Sequence, residues 1–142
     1  MNTQPFVIER TYNAPISKVW EAITDNEKMK EWYFKLEEFK PEAGFVFEFY
    51  GGPDEGVRYL HHCEITEVIP GKKLAHSWRY IGHPGETFVT WELFDEGDKT
   101  RLKLTHTGLE TFDQNNKDFA AHNFAEGWTY ITGTSLANYL EK

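Results

Sequence analysis

Six histidines and one cysteine are the residues of this 142-residue chain with the clearest chemical potential. His61, His76 and His106 share the inward parity of the strands predicted around them. The intervening turns predict that His76 and His106 lie two strands apart and two residues out of step, which separates them by roughly 12 Å. Zinc requires ligand nitrogens at about 2.0–2.1 Å. We therefore predict no metal site, and we expect single histidines either as polar points in a ligand pocket or as hydrogen-bonded members of a mixed core.

Covalent and acid–base mechanisms find little support in the sequence. Cys63 shares the inward parity of His61, but two residues along a strand span about 7 Å, too far for a direct hydrogen bond. The carboxylates of Glu48, Glu64 and Glu92 have outward parity, so no inward pair of carboxylates is predicted. We therefore predict a buried, inert cysteine, no catalytic residue and no cofactor.

Aromatic side chains form the strongest candidate site, since the chain contains 11 Phe, 7 Tyr and 5 Trp. Some of these rings must be ordinary core. Buried Tyr and Trp nevertheless need partners for their polar tips, so several on one inward face favour a wet or ligand-filled cavity. The predicted ligand-binding residues are Trp32, Phe47, Phe49, Tyr59, His61, Trp78, Tyr80, Trp91, His106 and Trp128.

The elements that would position these residues begin with a strand and two short helices. Residues 5–13 alternate well enough to form the strand. Apolar residues then recur at helical spacing between residues 16 and 23, which predicts a helix with one apolar face. Thr24 and Glu27 are predicted as the capping box of a second short helix that ends near Trp32. The two helices are expected to close one end of a sheet.

Between residues 33 and 108 the period of the apolar residues is two, and Gly- and Pro-rich turns interrupt it. This pattern is typical of an antiparallel meander with one aromatic face. The positions of the turns predict three pairings across neighbouring strands, the first of which a bulge near Glu67 would shift. The pairings are His61 with Tyr80, His76 with Trp91, and Val89 with His106.

The last segment, residues 118–140, is predicted as a long helix with an apolar stripe. Gly127 and Gly133 inside it each cost about 1 kcal/mol relative to alanine, which favours close backbone approach or space that must stay open. The helix needs an apolar partner and the sheet needs a cover, so we predict an α+β fold in which a curved antiparallel sheet of about six to seven strands wraps around this helix. The stripe consists of Phe124, Trp128, Ile131, Ser135 and Tyr139, and Leu136 and Leu140 flank it.

Composition and charge narrow the classes of function. A formal net charge of −8 opposes binding to phosphate backbones and to anionic lipid surfaces, so neither a nucleic acid nor a membrane is a predicted partner. A single cysteine permits no intrachain disulfide and suits a reducing compartment. The expectation is one cytoplasmic domain over residues 1–142, as a monomer or a homodimer.

Several short segments, taken in their order and spacing, carry a family resemblance. They are Ala14-Pro15, Val19-Trp20, Thr24-Asp25, Glu31-Trp32, Glu67-Val68-Ile69-Pro70, Thr90-Trp91-Glu92-Leu93, residues 100–106 and Gly127-Trp128. They resemble the family named after the C-terminal domain of the activator of Hsp90 ATPase, within the START/Bet v 1-like (SRPBCC) superfamily. The resemblance covers nearly the whole chain and implies a helix-grip (Bet v 1-like) fold with a cavity between sheet and C-terminal helix.

Three functional hypotheses follow, and no catalytic residue is implied by the resemblance. The first is the binding of a small apolar or aromatic-containing ligand in the cavity. The second, which rests on the family name, is a co-chaperone-like contact with a protein partner such as a chaperone. The third is a cyclase- or hydrolase-type enzyme, because the superfamily includes such members. In the first hypothesis, Trp78, Tyr80, Trp91 and Trp128 supply walls, and Tyr59, His61 and His106 supply polar points.

Overall fold

The computed structural model describes residues 5–32, 38–51, 59–113, 115, 119 and 121–141. The strands are β1 (Phe6–Tyr12), β2 (Val46–Gly51), β3 (Tyr59–Ile69), β4 (Lys73–Tyr80), β5 (Thr87–Glu96) and β6 (Lys99–Thr107). The helices are α1 (Ile16–Thr24), α2 (Asn26–Trp32), a 3₁₀ turn (Leu109–Thr111), α3 (Ala121–Tyr130), a π segment (Ile131–Ser135) and α4 (Leu136–Leu140).

The six strands of the described chain form one sheet in the order β1-β6-β5-β4-β3-β2, and every neighbouring pair is antiparallel. Buried and more exposed residues alternate along β5 and β6, because successive side chains of a strand point to opposite faces. α3, the π segment and α4 run on without a break and cover the aromatic face of the sheet. The predicted helix-grip fold is confirmed.

Two of the three predicted pairings are confirmed and one is wrong. His61 pairs with Tyr80, and Val89 pairs with His106. The irregularity near Glu67 is present between Ile65 and Glu67 and leaves the His61 pairing intact. His76, however, pairs with Val89 instead of Trp91.

The error in the β4–β5 pairing comes from the connection between the two strands. It contains two glycines with positive φ, Gly82 at 86° and Gly85 at 103°, so the chain reverses earlier than the Pro-Gly signal indicates. His76 and His106 therefore face the same residue, Val89, from either side. They lie in step across two strands, about 9.6 Å apart, and not two residues out of step.

The helix α1 forms where Val19, Ala22 and Ile23 bury one face against the sheet. The predicted capping box at its end is wrong. Thr24 turns its hydroxyl back to the carbonyl of Trp20, and the side chain of Asp25 accepts the backbone N–H of Glu27 at 2.9 Å. Asp25 is the capping residue of α2 because it stands directly before the helix, where its charged side chain reaches the unpaired amides of the first turn.

The buried stripe of the C-terminal helix also differs from the prediction beyond Trp128. Ile131, Ser135 and Tyr139 are only partly buried. The π segment adds one residue to a turn, so every later side chain is displaced by one position along the stripe. The fully covered residues are Phe124, Trp128, Thr132, Leu136 and Leu140.

The π segment is held by polar contacts from two other elements. The hydroxyl of Tyr12 donates to the carbonyl of Thr132 at 2.7 Å, and the hydroxyl of Ser135 donates to the carbonyl of Trp32. A Cβ on Gly133 would stand 3.0 Å from the guanidinium of Arg10. Gly133 therefore allows Arg10 of β1 to approach the helix closely. Close approach is one of the two roles that the sequence favours for this glycine. A Cβ on Gly127 would meet open space.

Candidate ligand-binding site

The ten predicted ligand-binding residues are all buried, and the structure brings them together in one layer between sheet and helix. The ring centroid of Trp128 lies 5.6 Å from that of Trp91 and 5.4 Å from that of Trp78. Trp78 in turn lies 4.9 Å from His61, which stacks on Phe49 at 4.5 Å. The layer is continuous because β2 to β6 each place alternate side chains on this face.

His106 lies at the centre of a hydrogen-bonded chain. The indole Nε1–H of Trp128 donates to its Nδ1 at 3.0 Å, so the proton of the imidazole is on Nε2. This Nε2–H donates to the hydroxyl of Thr87 at 2.7 Å, and Thr87 donates to the carbonyl of Trp78 at 2.7 Å. The protein therefore uses both ring nitrogens of His106.

His76 is bonded in a similar way. The indole Nε1–H of Trp91 donates to its Nε2 at 3.1 Å, and its Nδ1 lies 2.9 Å from the carbonyl of Ser77. Burial lowers the pKa of His76 to about 4. Burial, with a smaller contribution from the nearby His76, lowers the pKa of His106 to about 3. Both imidazoles are neutral at physiological pH and act as polar joints of the core.

The remaining tryptophans of the layer are also bonded. Trp32 donates its Nε1–H to the carbonyl of Ala22 at 2.8 Å, and Trp78 donates to the hydroxyl of Tyr80 at 3.0 Å. These polar tips therefore require neither water nor a ligand, contrary to the expectation from the sequence, because they bond to one another and to backbone. Burial raises the pKa of the Tyr80 hydroxyl far above its usual range.

A cavity of about 10 Å³ remains at one end of the layer, beneath Trp32 and Trp91. This is about the volume that one water molecule needs. The cavity is almost wholly apolar, and among its described neighbours only His76, Trp32 and Trp91 carry side-chain nitrogens. The lining residues are Ile23, Met29, Trp32, Phe39, Phe47, Leu74, His76 and Trp91.

An open groove of about 330 Å³ runs along β2. Phe47 lines both the groove and the inner cavity. Its ring meets that of Phe39 edge to face at 5.2 Å. Glu38 and Glu48 also line the groove. The carboxylate oxygen Oε2 of Glu48 lies 2.7 Å from Nδ1 of His62. Phe47 is thus the residue that the two linings share.

Several residues of the layer were not predicted from the sequence. Thr87 links His106 to β4, and its inward parity on the strand of Val89 and Trp91 was the available signal. Phe112 and Phe119 belong to the connection between β6 and α3, where no period identifies an inward face. Both rings pack against Tyr80, at 5.2 and 4.7 Å.

Cys63 and the acidic side chains are the other residues with chemical potential in the described part of the chain. Cys63 is fully buried, as predicted, and burial raises the pKa of its thiol. Across those residues no Asp or Glu is buried, and no three His, Cys, Asp or Glu side chains meet in a way that could hold a metal ion. No helix in the described ranges is long and apolar enough to cross a membrane.

The fold and its ring-lined interior define a helix-grip domain of the Bet v 1-like class. Residues 13–141 match the family described as Activator of Hsp90 ATPase homolog 1-like protein, and the chain belongs to this family. Among curated proteins none matches the sequence. The family and fold support a ligand-binding domain in general terms.

Solved structures of similar chains agree with this assignment. The Mll3558 protein from Rhizobium loti is 23% identical over 96% of both chains, with a TM-score of 0.82. Protein MLL2253 from Mesorhizobium loti is 26% identical over 97% of both chains, with a TM-score of 0.79. DynU16, a protein in the dynemicin biosynthetic locus, is 25% identical over 100% of this chain and 48% of its own, with a TM-score of 0.77.

Proposed function

We propose that this protein binds a small apolar or aromatic-containing molecule between its sheet and its C-terminal helix. The observation that carries the proposal is the shared wall of the two spaces at Phe47. On one side lies an apolar cavity beneath Trp32 and Trp91, and on the other an open groove. We expect movement of the Phe47 side chain to join them. The likeness to DynU16, which belongs to a biosynthetic locus, also favours a small-molecule ligand.

The lining determines what kind of molecule would fit. Among the described residues around the inner cavity, His76, Trp32 and Trp91 carry side-chain nitrogens, and all of these nitrogens are bonded within the protein. A ligand entering here would gain chiefly by burying apolar surface, about 25 cal/mol for each Å² removed from water. A cavity of about 150 Å³ suffices for benzene. The inner cavity of about 10 Å³ is far smaller, so a ligand of this kind would require side chains of the lining to move.

The first experiment is native mass spectrometry of the protein as purified from its own cell, compared with the same sample denatured. We expect an additional small-molecule mass that disappears on denaturation. A ligand-free mass, together with no binding of an apolar probe at concentrations up to its solubility limit, would overturn the proposal.

A variant tests the place of binding. Phe47→Ala joins cavity and groove, so we expect it to bind the neutral probe N-phenyl-1-naphthylamine at least tenfold more tightly than the unaltered protein. Phe88→Ala is the matched control, because Phe88 is 43% exposed on the outer face of the sheet and borders neither space. Equal affinities for both variants would place the probe elsewhere and contradict the assignment of Phe47.

A protein-interaction role is the second candidate, and an exposed apolar patch favours it. Tyr50 on the edge strand β2 is 63% exposed and pairs with Leu60, whose carbonyl accepts the backbone N–H of the exposed Ile81. The family description adds a chaperone-related partner as the class to test. We expect affinity capture with purified Hsp90 to weaken in Tyr50→Ser. Capture of none by the unaltered protein would remove this candidate.

A further inference from the structure

The guanidinium of Arg10 has no partner in the part of the chain that the structure describes. Arg10 shares the inward face of β1 with Ile8 and Tyr12 and is partly buried. Its Nε is buried without a hydrogen bond, and neither a hydrogen bond nor an ion pair of its outer nitrogens is found among the described residues. A guanidinium carries five N–H donors and a permanent charge. Because buried polar groups normally have partners, Arg10 is an exception that needs a cause.

The π segment leaves room for this guanidinium. A Cβ on Gly133 would stand 3.0 Å from Nη2 of Arg10, 3.2 Å from Cζ and 3.2 Å from Nε. Since these distances are nearly equal, the Cβ position lies over the flat face of the guanidinium and not at its edge. The N–H bonds point outward in the plane of the group, so Gly133 uses none of them. The glycine thus allows close stacking while the donors stay available to an acceptor.

A second arginine shows how this chain otherwise treats a guanidinium. Arg101 donates to Glu9 at 2.7 Å and to Glu96 at 3.4 Å, and its guanidinium lies 4.2 Å from the ring centroid of Phe94. The chain contains 23 Asp and Glu against 15 Lys and Arg, so carboxylates are plentiful. The lack of one at Arg10 is therefore a property of this position and not of the composition.

The acidic group closest in effect to Arg10 is Glu141. Burial raises the pKa of the Tyr12 hydroxyl, the charge of Arg10 opposes this rise, and the charge of Glu141 adds to it. Both charges therefore lie near Tyr12. The carboxylate of Glu141, however, accepts the backbone N–H of Asn13 at 3.0 Å and forms no ion pair with Arg10. The positive charge of Arg10 is not neutralised from this side.

Apolar surface accompanies the unpaired charge. Ile8 precedes Arg10 by two residues on the same face of β1, about 7 Å along the strand. Ile131 begins the π segment, two residues before Gly133. Both isoleucines are partly buried and pack against the core, so each leaves part of its side chain open. A positively charged, planar donor group beside aliphatic surface suits a molecule with an acidic head and an apolar body.

We propose that Arg10 and Gly133 form a binding site for the carboxylate of a small organic acid, between β1 and the π segment. A carboxylate matches the planar fork of a guanidinium and can accept two parallel N–H bonds, and the apolar body of the acid would cover Ile8 and Ile131. A doubly charged phosphate fits less well, because the net charge of −8 repels it more strongly. The π segment agrees with this assignment, since such segments are frequent at functional sites.

This site goes beyond the function proposed above and does not rest on it. Its residues line neither the inner cavity nor the groove. An acid bound here would lie at the β1 edge of the sheet, whereas the groove runs along β2 at the opposite edge.

The arginine Nε–H signals of the ¹⁵N-labelled protein report on the site directly. The signal of Arg10 is identified by its absence from Arg10→Lys. We expect it to move in a saturable manner on titration with sodium hexanoate at pH 7.5, with sodium chloride holding the ionic strength constant. The signal of Arg101 should move far less, because its donors are already paired. Hexanamide, which has the same length without the charge, should bind at least tenfold more weakly.

Two glycine variants of the same helix form a matched pair. The backbone amide signal of Thr134 serves as the readout in all variants, and the same spectra show that each is folded. Gly133→Ala places a methyl group over the guanidinium and should weaken hexanoate binding at least fivefold. Gly127→Ala adds a methyl group in open space and should leave the affinity unchanged. Arg10→Lys keeps the charge but lacks the planar fork, and should weaken binding at least tenfold.

Three results would overturn the site. They are a response of Arg10 no larger than that of Arg101, equal hexanoate affinities in the two glycine variants, and tighter binding of inorganic phosphate than of hexanoate. The general proposal is judged separately, because Arg10→Lys should not alter how Phe47→Ala binds the neutral probe N-phenyl-1-naphthylamine. Either proposal can therefore fail while the other stands.

Discussion

Acidification should destabilise this protein through His76 and His106. Burial holds their pKa values at about 4 and about 3, below the ordinary 6.5. The unfolded chain therefore takes up protons from about pH 6.5 downward, while the folded chain does not. Stability is complete above pH 6.5 and is lost as the pH falls toward the folded-state values.

The magnitude follows from the difference in bound protons. Between pH 7.5 and 5.0 each imidazole in the unfolded chain gains nearly one proton, which lowers the free energy of unfolding by about 2 kcal/mol per histidine, or about 4 kcal/mol for both. This is a large part of the 5–15 kcal/mol or so that stabilises an ordinary domain. The bonding pattern points the same way, since a proton on Nδ1 of His106 would oppose the N–H of Trp128.

Urea unfolding followed by tryptophan fluorescence at pH 7.5, 6.5, 5.5 and 5.0 measures the loss. The variants His76→Gln and His106→Gln are expected to be less stable at pH 7.5, yet each should lose about 2 kcal/mol less than the unaltered protein on going to pH 5.0. The double variant should lose about 4 kcal/mol less. Losses as large in the variants as in the unaltered protein would refute the reasoning.

Three further predictions concern packing and use the same urea unfolding at pH 7.5. Thr87→Val removes the acceptor of the His106 Nε2–H and should cost about 1–3 kcal/mol, with Thr87→Ser recovering most of it; similar stabilities for the two variants would contradict the hydroxyl's role. Gly85→Ala forces a Cβ to 2.5 Å from the carbonyl of Thr111 at a φ of 103°, and should cost at least about 1–3 kcal/mol; an unchanged midpoint would show that the contact yields easily. Asp25→Ala removes the cap of α2 and should cost about 1 kcal/mol, whereas Asp25→Asn should cost less; equal losses would assign the cap elsewhere.

The order and type of the elements could be predicted because period and turn chemistry are local properties of the sequence. The pairing of Val89 with His106 followed from a short turn, and that of His61 with Tyr80 survived the bulge near Glu67. The β4–β5 pairing could not be predicted, because the point of reversal depends on the φ values of Gly82 and Gly85. A shift of two residues preserves which face each side chain occupies, so the inward set remained correct.

The hydrogen bonds within the site could not be predicted from the sequence, for the same reason. His76 accepts the indole N–H of Trp91. The predicted register places these two residues directly opposite each other, whereas in the observed register His76 pairs with Val89, two positions from Trp91. Which tryptophan bonds to which histidine depends on such shifts and on the ring rotations that close packing permits. Ten members of the layer could thus be predicted from the sequence, and only the structure identifies their partners.

The π segment has a consequence for how the length of this chain can vary. Phe124, Trp128, Thr132, Leu136 and Leu140 recur every fourth residue, whereas an ideal α-helix turns such a series by about 40° at each step. The wide turn absorbs one residue, so a natural variant that lacks one position between 131 and 135 would still present its last leucines to the core. What such a deletion would forfeit is the site where β1 touches the helix, through Tyr12 and Arg10. The additional residue therefore contributes to the contact between elements rather than to the helix itself.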